Sequence, residues 1–562
     1  MSTSDLICGL KLTHDGGVAV VADGELLFST EAEKLANRDR HAPMNVATDL
    51  AARLADHDLA PADLAAVAVD GWARGAEGET WVEVFDDAGT ANPVEVALYH
   101  DEPGATGMLD GVTGTSPLFG TANTGFRSFT HATGHVFASY CTSPFARAGK
   151  RALVIVWDGG MPPCLYVFDP GTRHLECLGP VGPISGALFP IFSSHFDAFR
   201  VNHSDRMSKN AGPGLEALLP IAGKAMAYAA LDEVSEDAIV AMRHATDAVR
   251  LVDGAIPAYL WTRKVLTATD GLGLSDPTLI GSLQQYLFRA LLEGIKDMFA
   301  RRPDLAGLPL CMSGGCALNI KWNSGLRASG LFEDVWVPPF PNDSGSAIGS
   351  ATAEMVRLTG NSALEWSVFA GPDVVETGHP PAGWTARACD IDELAKLLEV
   401  RGEPVVVVSG RAELGPRALG HRSIIAPAVS EGMKDRLNEI KNRESYRPVA
   451  PICLEHRAPE VFDPGTPDPY MLFDHMVRPE WRDKVPAIVH LDGTARLQTV
   501  GPDNDLMFRL LTAYERSTGV PVLCNTSANF KGSGFFPDAE SAMRWGCTAH
   551  VWSNGTLYSN EP

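Results

Sequence analysis

Apolar residues near the N-terminus come in three short runs separated by turn residues. Residues 5–12 (DLICGLKL) read as a strand, HDGG at 14–17 as a turn, 18–22 as a second strand, Asp23-Gly24 as a hairpin turn and 25–30 as a third strand. An Asp-Gly pair between apolar runs is a strong hairpin signal, because both positions tolerate the positive φ of a tight turn. The same grammar returns further on. ALVIVW (152–157) reads as a buried strand, DGG (158–160) as a turn, 164–168 as a strand, DPG (169–171) as a turn and 173–178 as a strand. The two units form an internal repeat of pattern rather than of close identity. Glycines at a strand end let backbone N–H groups approach phosphate closely, which makes Gly159 and Gly160 candidate phosphate contacts.

Helical spacing of apolar positions predicts helices over 43–59, 235–252 and 282–299, and residues 75–128, rich in Gly, Thr and Asp, read as irregular. LPLCMSGG (308–315) reads as a strand and Gly turn leading into 317–319, and NDSGSAIG (342–349) is a third Gly-rich turn before a helix. Residues 361–388 have weak periodicity and read as a linker. A helix over 390–401 and the strand PVVVVS (404–409) then open a separate α/β domain. The fold class is α/β, with one domain over 1–370 and a second over 386–562.

At 562 residues the chain is too long for one core and predicts three or four structural units. Apolar residues make up 45% and charged residues 20%, the balance of a folded chain rather than a disordered one. The net charge of −23 argues against nucleic acid as the main partner, since phosphate neutralisation dominates that affinity. Ten scattered cysteines without a CxxC exclude zinc-ribbon and thioredoxin readings. With no signal peptide and no long apolar run, a cytoplasmic protein with reduced thiols and no membrane contact is expected.

Several positions could carry chemistry. His131 and His135 in THATGH are spaced i, i+4, which puts both imidazoles on one helix face as a shared metal requires. Asp158 and Asp343, each in a Gly-rich loop, could complete a site suited to Fe²⁺, Mn²⁺ or Zn²⁺; the plain alternative is two surface helix histidines. His14, in the first turn, is a candidate general base or else an ordinary turn residue. Residues 409–447 hold eight Lys/Arg against five acids, a cationic stretch in an acidic chain. Such a stretch suits a small anion such as a nucleotide or phosphate, or else forms a solvated basic face. Residues 486–500 alternate like a strand and carry His490, Asp492 and Arg496, while 521–532 reads as a buried strand ending in Asn525-Thr526-Ser527.

These segments together resemble the O-carbamoyltransferase family of antibiotic and nodulation-factor biosynthesis. The resemblance rests on HDGGVAVVADGELLFSTEAEK, HATGHVFASYCTSPF, DGG, GKAMAYA, SGGCALN, PNDSGSAIG, GRAELGPRALGHRSI, KNRESYRPVAP, HLDGTARLQTV and NTSANFKG, in family order over nearly the whole chain. It implies a duplicated actin/hexokinase-like ATPase domain followed by a YrdC-like domain. The YrdC-like domain would make carbamoyl adenylate from carbamoyl phosphate and ATP (with Mg²⁺), using Arg417, Lys441, Arg443, Arg447, Arg496 and Ser527. The actin-like domain would pass the carbamoyl group to a hydroxyl of a small-molecule acceptor. There His131, His135, Asp158 and Asp343 match an iron-type metal site, Gly314, Gly315 and Asn319 an adenosine-side loop, and His14 a general base. A homodimer is one assembly this allows. The chain departs from the family pattern at Glu33-Lys34-Leu35, where an acidic-acidic-basic run is usual, at Thr130, and at Cys316. Two alternatives are weighed against this reading. A tRNA threonylcarbamoylation enzyme conflicts with the acidic charge. An actin-like nucleotide-dependent regulatory protein leaves the cationic stretch unexplained.

Overall fold

A computed structural model describes residues 6–35, 40–73, 80–119, 125–201, 215–249, 255–375 and 378–560. Its first sheet runs, from one edge, Glu25–Glu31, Gly17–Ala22, Ile7–Lys11, Ala66–Asp70, Gly125–Phe129 and Val112–Thr115. The second runs His174–Pro180, Cys164–Asp169, Ala152–Val156, Leu310–Ser313 and Val335–Trp336. Both open as a three-strand antiparallel meander. In both, a fourth strand returns parallel to the first, pairing Ile7 with Ala66 and Leu153 with Leu310, and a fifth lies parallel to the fourth. The pattern repeat at 5 and 152 is therefore a repeat of topology.

Burial follows the strand period. In Ala152–Val156, Leu153 and Ile155 face one core with the long helix Asp276–Arg301, while Ala152, Val154 and Val156 face another with the helix His131–Cys141. That second helix crosses Ser346–Thr359 at very close range: a Cβ on Gly349 would stand 2.0 Å from the Gly134 carbonyl oxygen. Small residues at the crossing bring the start of each helix to the carboxyl ends of both sheets, where open α/β folds bind ligands.

The C-terminal part is built on an eight-stranded mixed sheet, from Thr385–Ala388 at one edge to Gln498–Val500 at the other. Val405 and Val407 face the helices Ile391–Arg401 and Asp505–Thr518, whereas Val406 and Val408 face the opposite core with Gly432–Ile440 and Ala539–Trp545.

Several expectations need correction. The stretch 75–128 is irregular only in part: it holds the hairpin Trp81–Phe85 and Ala91–Glu95 and the sheet strands Val112–Thr115 and the start of Gly125–Phe129, whereas 96–111 is turn and loop as expected, and 75–79 and 120–124 lie outside the described residues. These strands are short and exposed on one side, with apolar contact from few positions such as Val82, Val84 and Val94, so composition hides them. Conversely, 486–500 is mostly a 3₁₀ turn and loop with only Thr494–Ala495 and Gln498–Val500 as strands. The helix expected over 43–59 is confined to Ala47–Ala55. That expected from 282 starts at Asp276, capped by the Ser275 hydroxyl and opened by a proline, a start signal the apolar spacing did not include. The helix expected over 235–252 spans Glu236–Ala248, with 250–252 outside the described residues. The linker is no loose tether: Leu26 N and Ser29 N donate to Glu365 O and Ala370 O, stitching it to the first sheet.

Candidate functional site

The carboxyl ends of the two N-terminal sheets converge on one buried cluster. His131 and His135 start the helix His131–Cys141, which Thr130 caps through its hydroxyl; Asp158 follows the strand Ala152–Val156; Asp343 precedes the helix Ser346–Thr359. One ligand atom from each of the four lies within 4.8 Å of the others. The two Nε2 atoms stand 3.1 Å apart, and Asp343 Oδ1 lies 3.4 Å from His131 Nε2 and 3.6 Å from His135 Nε2. The Nδ1 atoms are engaged elsewhere, at 2.9 Å from Asp70 Oδ2 for His131 and 3.2 Å from Ser313 Oγ for His135. Two imidazole nitrogens this close repel unless a cation or proton lies between them, so this donor set could hold a metal ion.

Around it charges are paired. Lys11 Nζ contacts Asp70 at 2.9 Å and Asp343 Oδ2 at 3.0 Å, and these three side chains are at most 4% exposed. Burial would lower the pKa of His131, but Asp70 and Asp343 together outweigh it and hold it up at about 9. Burial would raise Asp343, and Lys11 and His131 instead hold it well below the usual carboxylate range. Tyr99 donates its hydroxyl to Asp158 Oδ2 at 2.5 Å, and Gly315 N–H donates to Asp158 Oδ1 at 2.6 Å. His14 sits at the rim, Nε2 3.6 Å from Asp343 and Nδ1 3.1 Å from Asp15, with its ring edge-on to Trp72.

The glycine loops line the same space. Gly159 is exposed beside Asp158, and Gly160 N–H points at the Tyr99 hydroxyl. Gly314 has φ of 87° and packs on the Trp157 carbonyl, where a Cβ would stand 2.4 Å away, so only glycine fits. Asn319, expected at an adenosine-side loop, caps the helix Ile320–Ala328 by accepting from Lys321 N and Trp322 N.

The C-terminal part gathers a second cluster of opposite character. Arg417, Lys441, Arg443, Arg447 and Arg496 lie close enough to depress one another's pKa. Burial first, then Arg496, pushes Arg417 well below the arginine range; burial, then Arg447, brings Arg443 to about 9 and Arg496 to about 10. Among the described residues, Arg417 Nε, Arg443 Nε and Nη2, and Arg496 Nε are buried without a hydrogen-bond partner. Lys441 Nζ donates to Ser527 O at 2.7 Å, to Asn529 O at 2.8 Å and to Asn529 Oδ1; Ser527 Oγ donates to Asn529 Oδ1. Not all of the cationic stretch takes part. Arg411 and Arg422 are tied to backbone carbonyls, such as Ala370 O and Ser409 O, as structural cross-links.

Sequence reasoning missed Lys11, Asp70 and Tyr99 in the first cluster and Asn529 in the second. It also missed a bridge between the two parts: Lys321, two residues past the Gly314 loop, pairs with Asp474 at 2.8 Å and Asp492 at 2.6 Å, on the segment leading to Arg496.

The family model "Carbamoyltransferase N-terminus" matches residues 6–97, 120–256 and 258–352, and "Carbamoyltransferase C-terminus" matches 395–551. Nodulation protein U of Bradyrhizobium diazoefficiens is 44% identical over 98% of this chain and 97% of its own length. That of Rhizobium tropici is 43% identical over 99% and 96%. The 3'-hydroxymethylcephem-O-carbamoyltransferase of Streptomyces clavuligerus is 35% identical over 96% of both chains. No helix among the described residues is long and apolar enough to cross a membrane. The chain belongs to the carbamoyltransferase family and is an enzyme.

Proposed function

We propose that this enzyme transfers a carbamoyl group to a hydroxyl of a small-molecule acceptor through carbamoyl adenylate, made from carbamoyl phosphate and ATP. The two meander sheets are read as the halves of an actin-like domain over 1–370, and residues 386–562 as the YrdC-like, adenylate-forming domain. One observation carries the reading: buried guanidinium N–H groups without partners crowd together in the C-terminal part. Like charges held in such proximity await a polyanion, which Arg binds bidentately.

At that cluster Arg417, Arg443, Arg447 and Arg496 would hold the phosphates, with Lys441 oriented by Ser527 and Asn529. Water releases inorganic phosphate and carbamate from carbamoyl phosphate. A carbamate oxygen then attacks the α-phosphorus of ATP, and pyrophosphate leaves with its charge met by the arginines. Mg²⁺ would accompany ATP. At the His–Asp cluster the acceptor oxygen attacks the carbamoyl carbon, the bond to AMP breaks, and His14 takes the hydroxyl proton. His131, His135, Asp158 and Asp343 would hold Fe²⁺ or another divalent transition metal, which when bound would supply Lewis-acid polarisation of the carbamoyl oxygen or orient the adenylate phosphate. Asp70 and Ser313 keep both imidazoles aimed, and Tyr99 and Gly315 do the same for Asp158. Gly159, Gly160, Gly314 and Gly315 would let backbone N–H groups approach the adenylate, with Asn319 shaping that loop. The high identity to nodulation protein U and the printed activity of the cephem relative both support a natural-product hydroxyl as acceptor.

The test is pyrophosphate release from ATP that depends on carbamoyl phosphate. Lys441→Ala and Arg447→Ala should abolish it; retained release in both variants sinks the adenylation reading.

A further inference from the structure

We propose that Arg40, a residue of the N-terminal part, is a ligand of the anion bound at the C-terminal arginine cluster. The inference rests on the anion site proposed above and adds a sixth cation from outside the domain that carries the other five.

Residues 31–34 and Arg40 itself contact two C-terminal loops. Glu31 Oε1 accepts from Gly415 N at 2.7 Å, and Lys34 Nζ donates to Gly415 O at 2.7 Å. On the other side Phe535 N donates to Glu33 O at 2.9 Å, Lys34 Nζ lies 3.6 Å from the Phe535 ring centroid, and Arg40 N donates to Gly532 O at 3.3 Å. The fit leaves no slack: a Cβ on Gly534 would stand 1.7 Å from Glu33 O. Each loop so gripped leads to the cluster. Gly415 is two residues before Arg417, and Gly532 follows the turn at 527–529 that holds Lys441 Nζ.

Arg40 therefore starts from a backbone anchored at the rim of the site. Its charge reaches Arg417, Lys441 and Arg447. Its side chain is 48% exposed, and Glu33 Oε2, at 3.7 Å from Nε, steadies one side of the guanidinium. A long cation free to turn outward, yet held within the field of three like charges, is placed to close over an arriving phosphate. The ligand chemistry is a phosphate or polyphosphate group, and Glu33-Lys34, where the family pattern differs, becomes the clamp that docks Arg40.

Pyrophosphate binding to the full-length protein, followed by calorimetry over a range of salt, tests this. Arg40→Gln should weaken binding about tenfold and flatten its salt dependence, Arg40→Lys should restore most of it, and melting temperature should stay at the wild-type value. In steady state the KM for ATP or carbamoyl phosphate should rise with kcat little changed. Arg417→Ala is the control. If Arg417→Ala loses pyrophosphate and Arg40→Gln does not, the role of Arg40 is overturned alone. If both variants bind like wild type, the arginine site falls with it.

Discussion

The His–Asp cluster and the arginine cluster are built on opposite electrostatic principles. In the first, charges alternate: Lys11 lies between Asp70 and Asp343, and Asp70 lies against His131. In the second, five cations face one another and several buried N–H groups find no partner among the described residues. A compensated cluster is rigid and preorganised before any ligand arrives. An uncompensated one stores repulsion that only an anion relieves. The difference fits the tasks proposed for them: the first would position a reacting group, and the second would capture phosphate.

The comparison can be broken by substitution. Beyond Lys441 and Arg447, the largest effect is expected for Arg417→Ala, which should cut carbamoyl-phosphate-dependent pyrophosphate release by about 100-fold or more. Because the change removes one of several like charges, chemical denaturation should give an unfolding free energy at or above wild type. Lys11→Met should do the reverse to stability. It leaves Asp70 and Asp343 without their shared cation, so unfolding free energy should drop by about 3–5 kcal/mol; an unchanged value would mean that the pairing does not compensate the carboxylates. Asp70→Asn keeps the shape but loses the charge that orients His131. Metal affinity should weaken about 10–100-fold, measured by competition with a chelator, with pyrophosphate release unaffected. The smallest effect is expected for Lys321→Ala. Its partly exposed bridge to Asp474 and Asp492 is worth about 1 kcal/mol, seen as a slight loss of thermal stability.

Much of this was legible in the sequence. The i, i+4 histidines and the two Gly-loop aspartates do come together as a cluster, because helix spacing and strand-end turns are local rules. The repeated meander was readable for the same reason. Lys11 and Asp70 were not read, although each stands as a single charge at the end of an apolar strand, a signal of a buried pair. Tyr99 and Arg40 carry no local signal at all; only tertiary contact brings Tyr99 to Asp158 and Arg40 to the Gly532 loop. The charge count over 409–447 pointed to the right region but did not separate Arg417 from Arg411 and Arg422; the family resemblance singled out Arg417, and only the structure shows that Arg411 and Arg422 spend their N–H groups on backbone carbonyls.

The central claim is that the two clusters act on successive steps and can be separated. Exchange of labelled pyrophosphate into ATP by His131→Ala, with carbamoyl phosphate present and no acceptor, tests it most directly. The account predicts exchange near the wild-type rate in a protein that has lost its metal and makes no carbamoylated product. Loss of exchange together with the metal, in a variant that remains folded, would contradict it.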